Sequence, residues 1–292
     1  MASLNDIKKI TLRALMSDDL LMHGLVLKGG NALQLAYDLT NRGSVDIDFS
    51  MENEFSANDF NRLTNVFCSL LNEEFKKSGL TAYDVKFIEK PKTGDIPEWK
   101  GYLLEFKLIE TEQFNIFGDD INAIRRNSIK VNNQSTKYTV DISAYEFIAG
   151  ARPQEIEGLI LKVYTPEMIL IEKVRALCQS MPEYAKIVSS ARQKQRARDF
   201  YDIWLIVNSF PKLQLTIDLF RHIFEAKKVP LEFLKNMESL REPNRAGWDT
   251  VQQTISAGAT LESYDYYFDH LLEIISPFIN LLDSKAATSP NT

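Results

Sequence analysis

Two aspartates separated by a single residue, Asp46 and Asp48, are the clearest sign of chemistry in the chain. They stand in the run VDIDF, whose β-branched and aromatic residues favour a strand. Alternate residues of a strand point to the same face, so both carboxylates would project in one direction, roughly 6–7 Å apart at the backbone. Two such carboxylates repel each other unless a cation lies between them, and Mg²⁺ is the natural partner.

A glycine turn precedes this strand. Residues 27 to 49, LKGGNALQLAYDLTNRGSVDIDF, predict a strand end, a turn at Gly29 and Gly30, a helix with apolar residues out to Leu39, a loop and the second strand. A backbone without Cβ can approach a ligand closely, and free N–H groups at a helix start attract phosphate. Enzymes of nucleotidyl or phosphoryl transfer combine a phosphate-binding turn with a pair of carboxylates that binds a metal ion. The alternative is a glycine turn followed by solvated acids.

The ordered run G-G-N-A-L followed by R-G-S-V-D-I-D-F resembles the signature of the DNA polymerase β-like nucleotidyltransferase superfamily. With the lysine before the glycines, it is similar to the AbiEii family, the toxin component of type IV toxin–antitoxin and phage abortive-infection systems. The resemblance implies a set of nucleotide-binding residues: Lys28, Gly29, Gly30, Asn31, Arg42 and Ser44. Asn31 departs from the family pattern, because relatives commonly have a small hydroxyl residue at this position. The difference is expected to alter a contact with phosphate.

A third acid, Asp141, lies between Val140 and Ile142 in the strand-like run KYTVDIS. An acidic residue within an apolar strand is costly unless it is paired or lies at a strand end in solvent. The resemblance implies that it is the third metal carboxylate after Asp46 and Asp48, because superfamily members place one on a neighbouring strand. Mg²⁺ is the expected ion, with Mn²⁺ as its substitute.

A second constellation lies further along, on two predicted helices. Lys173 falls on the apolar stripe of EMILIEKVRALCQ, so it either snorkels to water or meets an anion, which would be a nucleotide phosphate or a carboxylate. Asp199 and Asp202 are one helical turn apart in RDFYDIW, amid apolar residues, which indicates a partly buried partner such as Lys173 or Arg198. A structural ion pair is the alternative. The resemblance implies that Lys173 and Asp202 act in the active site.

A basic run without acids lies between these two motifs. Its cations are Lys186, Arg192, Lys194, Arg196 and Arg198. Such a run forms either a solvated helix face or a surface that guides an RNA backbone through phosphate contacts.

The elements that must position these residues divide the chain into two parts. Helices are predicted over 3–22 and 56–78, and strands within 80–142 extend the Asp46–Asp48 strand into a mixed sheet. From Thr165-Pro166-Glu167, a strong helix start, nearly everything is helical. The predicted helices are 166–180, 182–194, 197–209, 214–226, 229–240 and 260–283. The predicted fold is therefore α/β (α+β), with a catalytic domain over 1–160 and a helical domain over 161–292 that closes the active-site cleft.

Composition and charge limit how the chain could contact RNA, form disulfides or cross a membrane. The chain has 292 residues, is 45% hydrophobic and 25% charged, and has a net charge of −6, so an RNA contact requires a local basic patch. Its two cysteines, Cys68 and Cys178, are expected to be buried free thiols in a reducing cytoplasm. No stretch reaches 18 apolar residues, so no membrane span is expected.

The predicted activity is transfer of a nucleotide from a nucleoside triphosphate (NTP) to a hydroxyl, with release of pyrophosphate. The resemblance implies a growth-inhibiting toxin with a cognate antitoxin, and the 3′ end of tRNA as the acceptor. The competing hypothesis is a non-catalytic nucleotide sensor or partner-binding module of a defence system. The sequence assigns no role to residues 211–292.

Overall fold

The computed structural model describes residues 3–39, 46–91, 96, 99–131, 135–189, 193–255 and 261–288. The chain divides into two compact units, one ending at Val163 and the other beginning at Tyr164. The sequence placed a boundary slightly earlier, at 160/161, and the functions it assigned to the two domains remain predictions. No helix within the described residues has the length and apolarity needed to cross a bilayer.

One mixed sheet forms the centre of the first unit. Its strands in the described residues are β1 (Val26–Lys28), β2 (Ile47–Ser50), β3 (Leu80–Lys90), β4 (Gly101–Glu110), β5 (Tyr138–Ser143), β6 (Arg152–Ile156) and β7 (Leu159–Val163). Their order across the sheet is β3-β4-β5-β2-β1-β7-β6. The pairs β2–β5 and β1–β7 are parallel, and the other neighbours are antiparallel. The predicted mixed α/β class is confirmed.

Short and long helices alternate with these strands. They are α1 (Leu4–Met16), α2 (Asp19–Gly24), α3 (Gly29–Leu35), α4 (Ala57–Phe75), α5 (Thr111–Phe117) and α6 (Ile121–Arg126), with a 3₁₀ turn over Lys76–Ser78. The helix predicted over 3–22 is two helices, because the carboxylate of Asp18 accepts from the backbone N–H groups of Leu20 and Leu21 and starts α2 afresh. Helix α3 also ends before Leu39, the last apolar residue of the predicted helix.

Aromatic residues join α4 to one face of the sheet. Phe67 and Phe75 of α4 are fully buried, and their rings lie 4.7 Å from Phe87 and 5.7 Å from Phe106. Along β5 buried residues alternate with partly exposed ones, so the opposite face carries its polar side chains. The core therefore lies on the α4 side, and the acids of the sheet project from the other side.

The second unit is helical. Its helices are α7 (Pro166–Gln179), α8 (Ala197–Ser209), α9 (Ile217–Glu225), α10 (Arg241–Arg245), α11 (Trp248–Thr254) and α12 (Tyr264–Thr288), with 3₁₀ helices over Pro182–Lys186 and Leu231–Leu240. Thr165 caps α7 as predicted, since its hydroxyl accepts from the N–H of Met168 and Pro166 follows it. Aromatic stacking of Phe200 on Phe268, with ring centroids 5.0 Å apart, packs α8 against α12.

The helix predicted over 182–194 is wrong beyond Lys186. The 3₁₀ helix ends there, and the described residues Gln193–Arg196 form an irregular segment without regular secondary structure. Tertiary hydrogen bonds replace the helical ones: the Arg196 N–H donates to Asn244 Oδ1 at 2.6 Å, and Gln195 Nε2 donates to the Pro243 carbonyl at 3.3 Å.

The expectation of two buried thiols is half right. Cys178 is fully buried, and burial raises the pKa of its thiol. Cys68 is exposed, because it follows Phe67 by one residue and is thereby rotated off the buried face of α4. Both thiols are free.

Candidate active site

Three predicted acids gather on one face of two adjacent parallel strands. In the register of β2 and β5, Asp48 is opposite Asp141, so their side chains leave the sheet side by side. Asp46 lies immediately before β2, and its Oδ1 accepts a hydrogen bond from the hydroxyl of Thr139, two residues before Asp141. This bond places the Asp46 carboxylate on the same face as the other two. The buried residues of both strands point the other way, with Ile47 3% and Val140 0% exposed.

Lys90 of β3 is an unpredicted neighbour of these acids. Its Nζ lies 3.2 Å from Asp141 Oδ2, across the intervening strand β4. Both side chains are nearly half exposed, at 45% and 43%, so this pair contributes little to stability. The effect of the pair is to orient the Asp141 carboxylate toward Lys90.

The glycine turn touches the acids directly. Gly29 opens α3 with a φ of +66°, a left-handed conformation that side-chain-bearing residues avoid. A Cβ added at this position would lie 3.1 Å from Asp48 Oδ2. The missing Cβ therefore leaves room for the second aspartate of the pair beside the turn, and the close approach of a ligand to this backbone stays a prediction. Gly30 follows as the second residue of the same helix.

Asn31 takes a different position from the one the sequence suggested. It is fully buried, and its Nδ2 donates to the backbone carbonyl of Asp46. Its Oδ1 is buried and has no hydrogen-bond partner in the described part of the chain. The side chain thus anchors the start of β2 to α3, and only the backbone of Asn31 remains for a phosphate contact.

A buried ion pair completes this face, and sequence reasoning missed half of it. Lys28 is the register partner of Asp48 across β1 and β2, and its Nζ lies 3.2 Å from Glu146 Oε1. The two side chains are 9% and 4% exposed. The backbone N–H of Glu146 donates to the Met51 carbonyl, which fixes the residue just past the end of β2. The available signal was an acid between aromatic residues, in AYEF directly after β5.

The donor chemistry of this face suits a divalent cation, since carboxylate oxygens are the ligands that Mg²⁺ prefers. As they stand, no three acidic, histidine or cysteine side chains of the described residues are grouped closely enough to hold an ion. The reason is visible in their contacts: Asp46 is bonded to Thr139, and Asp141 is paired with Lys90. The residues fit a metal site if these two carboxylates exchange those partners for the ion and turn toward Asp48.

The second constellation is an ion-pair cluster within the helical unit. Lys173 of α7 places Nζ 2.7 Å from Asp202 Oδ2 and 3.0 Å from Asp199 Oδ1, both on α8. Asp202 is the most buried of the three, with a side chain 3% exposed. Arg196 also contacts Asp199, at 3.1 Å. Lys173 is thus the partner that the two aspartates required, and its action on a nucleotide stays a prediction.

The predicted RNA-binding cations do not share one helix face. Lys186 is at the end of a 3₁₀ helix, Lys194 is exposed on the irregular segment, and Arg196 is engaged with Asp199. Arg198 lies on α8, and its Nε is buried without a hydrogen-bond partner among the described residues. Arg192 lies outside the described residues, as do the predicted nucleotide contacts Arg42 and Ser44.

Comparison with known proteins gives a consistent result. The profile of a family described as "Nucleotidyl transferase AbiEii toxin, Type IV TA system" matches residues 10–273. A candidate nucleotidyltransferase from H. pylori is similar in structure, with 15% identity, a TM-score of 0.50 and 96% of each chain covered. The nucleotidyltransferase toxin MenT4 from Mycobacterium tuberculosis H37Rv matches with 18% identity and a TM-score of 0.43, over 79% of this chain and 70% of its own. No curated protein matches the chain.

Proposed function

The chain belongs to the AbiEii family of nucleotidyltransferase toxins of type IV toxin–antitoxin systems, and we propose that it transfers a nucleotide to an RNA hydroxyl in a reaction that needs Mg²⁺. Membership makes the chain a nucleotidyltransferase that uses an NTP, and it implies an antitoxin partner. The acceptor we propose is the 3′ end of tRNA, and the setting is growth inhibition during phage infection.

The observation that carries the proposal is the register of β2 and β5. It sets Asp48 beside Asp141, while the Thr139 hydrogen bond holds Asp46 on the same face. Three carboxylates on one sheet face repel one another once they turn toward a common point, so this arrangement suits a cation or a reacting group that compensates their charge. Structural acids of a sheet do not need to be neighbours in this way.

The residues around the acids support distinct roles. Gly29 and Gly30 would present backbone N–H groups to the triphosphate, since a backbone without Cβ lets a ligand approach closely. The buried ammonium of Lys28 would offset the negative charge of acids and phosphates on this face. Arg42 and Ser44 remain predictions from the sequence.

Asp46, Asp48 and Asp141 would hold the metal ion. Bound there, Mg²⁺ supplies charge neutralisation at the phosphates and lowers the pKa of an attacking hydroxyl. Asp141 is the acid we assign to the acceptor side, where it would bind the ion or take the hydroxyl proton itself. Lys90, which contacts Asp141 now, would then be released.

The helical unit adds Lys173 and Asp202 to the proposal. The charge of Lys173 would neutralise the developing charge of the triphosphate, and Asp202 would hold the lysine in place at 2.7 Å. Burial of this pair would keep the ammonium oriented before any nucleotide arrives. The roles of these two residues are inferred from the family resemblance, and the contact between them is the support.

A labelling experiment tests the proposed reaction. The full chain is incubated with total RNA and each α-labelled NTP in turn, with Mg²⁺, with Mn²⁺ or with a chelator. We expect label in an RNA of tRNA size, lost with the chelator and in the Asp48→Asn variant. Label from the γ-phosphate instead would identify phosphoryl transfer, and no labelled RNA under any condition would overturn the proposed acceptor.

A further inference from the structure

A cavity of about 390 Å³ lies entirely within the helical unit and is not lined by the residues of the proposed transfer site. Three segments surround it: the start of the 3₁₀ helix at Pro182 and Glu183, the irregular segment at Lys194, and the junction between the 3₁₀ helix that ends at Leu240 and α10, which contains Pro243. This volume lies within the range of small-molecule pockets.

The wall of the cavity is held by specific hydrogen bonds. Asn244 is 2% exposed; its Oδ1 accepts from the Arg196 N–H at 2.6 Å, and its Nδ2 donates to the Leu240 carbonyl at 2.9 Å. Gln195 Nε2 donates to the Pro243 carbonyl at 3.3 Å. These bonds explain why the basic run leaves the predicted helix at this point, and they fix the segment that carries Lys194 against the helix junction at Leu240.

Two opposite charges line the cavity without compensating each other. Glu183 Oε2 is buried, and none of the described residues donates a hydrogen bond to it. Within the described part of the chain, Lys194 likewise forms no ion pair, and the two side chains do not pair with each other. A carboxylate oxygen that lacks a donor is costly, so a native structure that keeps one requires an explanation. A ligand that brings both a donor and an anion would satisfy both groups once the Glu183 carboxylate turns toward the cavity.

We propose that this cavity binds one nucleotide unit, with an amino group of the base at Glu183 and the phosphate at Lys194. The apolar side chains of Pro182, Leu240 and Pro243 would lie against the base. A carboxylate accepts from the N4 amino group of cytosine, whereas uracil has the acceptor O4 at the same position. The site therefore favours cytosine over uracil. It is distinct from the proposed transfer site and does not depend on transfer.

Binding of cytidine monophosphate (CMP), uridine monophosphate (UMP) and cytidine to the full chain, measured by calorimetry without turnover, tests this assignment. CMP should bind at least about fivefold more tightly than UMP. The Glu183→Gln variant should abolish that preference, because an amide can also donate to O4. The Lys194→Met variant should bind cytidine and CMP with equal affinity, because the proposed phosphate contact is lost. Lys212→Met, an exposed lysine of the same unit that does not line the cavity, should behave as the wild type.

Binding of a trinucleotide RNA of three cytidines, compared with binding of CMP, distinguishes an RNA strand from a free nucleotide as the ligand. Tighter binding of the RNA than of CMP, still dependent on Glu183 and Lys194, identifies an RNA strand as the ligand; equal affinity identifies the free nucleotide. Equal affinity of the wild type for CMP and UMP would overturn the proposal. So would unchanged affinities in the Glu183→Gln and Lys194→Met variants, provided that their melting temperatures match the wild type. Because these are binding measurements, they remain informative even if no RNA is labelled in the transfer experiment.

Discussion

Lys28 and Glu146 form a buried ion pair, Nζ to Oε1 at 3.2 Å, on the same sheet face as Asp48. Burying two charges gives little net stability, and apolar residues of similar volume often replace such a pair without loss. The chain nevertheless retains it beside its glycine turn. We attribute this to function: Glu146 positions the lysine charge where a triphosphate would bind.

We predict that replacing the pair by apolar residues separates stability from nucleotide use. Lys28→Met or Glu146→Leu alone should cost about 3–5 kcal/mol of unfolding free energy, because each leaves a buried charge without its partner. The double variant should recover most of that stability but keep a raised KM for NTP. Urea denaturation and steady-state kinetics measure the two effects.

The matched control for that experiment is Lys107→Met. Lys107 pairs with Asp84 at 2.9 Å, and both side chains are 19% exposed. Loss of this pair should lower stability and leave the KM for NTP unchanged. A double Lys28/Glu146 variant with wild-type KM would show that the buried pair is purely structural.

Asp48→Asn should abolish nucleotide transfer without loss of stability. The amide has nearly the shape of the carboxylate, and removing one of several neighbouring negative charges relieves repulsion in the folded state. Transfer of α-label and the unfolding midpoint are the measurements, and Asp119→Asn, an exposed turn position, is the control. Full activity with Asn at position 48 would exclude this residue as a metal ligand.

Gly29→Ala should impair activity more than its cost in stability explains. Gly29 and Gly79 have nearly the same left-handed φ, +66° and +71°, so alanine should cost about 1–2 kcal/mol at either position. A Cβ at position 79 meets nothing within 4 Å, whereas at position 29 it lies 3.1 Å from Asp48 Oδ2. Only Gly29→Ala should therefore displace the aspartate and reduce transfer. Equal activity of the two variants would contradict the proposed importance of this contact.

Local patterns predicted much of the fold. The cap at Thr165 and the hydrophobic periodicity over 56–78 identified two of the long helices, because caps and periodicity act within a few residues. Strand β6 was not predicted, since its sequence RPQEI has a proline and exposed charges that suit an edge strand but give no apolar alternation. The irregular segment at Gln195 was missed because its hydrogen bonds reach residues almost 50 positions away.

The same limit applies to the candidate site. Strand alternation alone placed Asp46 and Asp48 on one face, and the glycines pointed to a close backbone approach. That Asp48 is opposite Asp141 follows from the pairing of two strands far apart in sequence. Glu146 is 118 residues from Lys28, and Lys90 is 51 residues from Asp141, so no local pattern connects either pair.

The stabilising effect of Asp84 should disappear in acid. The hydrogen bond from the Arg125 guanidinium, assisted by Lys107, lowers the pKa of Asp84 from 3.8 to about 2. A lowered carboxyl pKa contributes stability that is fully present above the ordinary value and is lost as pH falls toward the folded value. The difference in unfolding free energy between wild type and Asp84→Asn, about 1 kcal/mol at neutral pH after solvent screening, should therefore be constant from pH 7 to 5 and shrink below about pH 4. A difference that stays constant to pH 3 would contradict this.

Lys173 should prove important for both folding and activity. A lysine that only reached water would contribute little to stability, but Lys173 Nζ lies between Asp202 and Asp199, so Lys173→Met should lower the unfolding free energy by about 3–5 kcal/mol. Arg196 stays with Asp199, so Asp202 is the carboxylate to replace in a compensating variant. Lys173→Met/Asp202→Leu should regain stability in urea denaturation and still fail to transfer label, because the proposed charge on the triphosphate is gone. A stable double variant with normal transfer would reduce Lys173 and Asp202 to a structural ion pair.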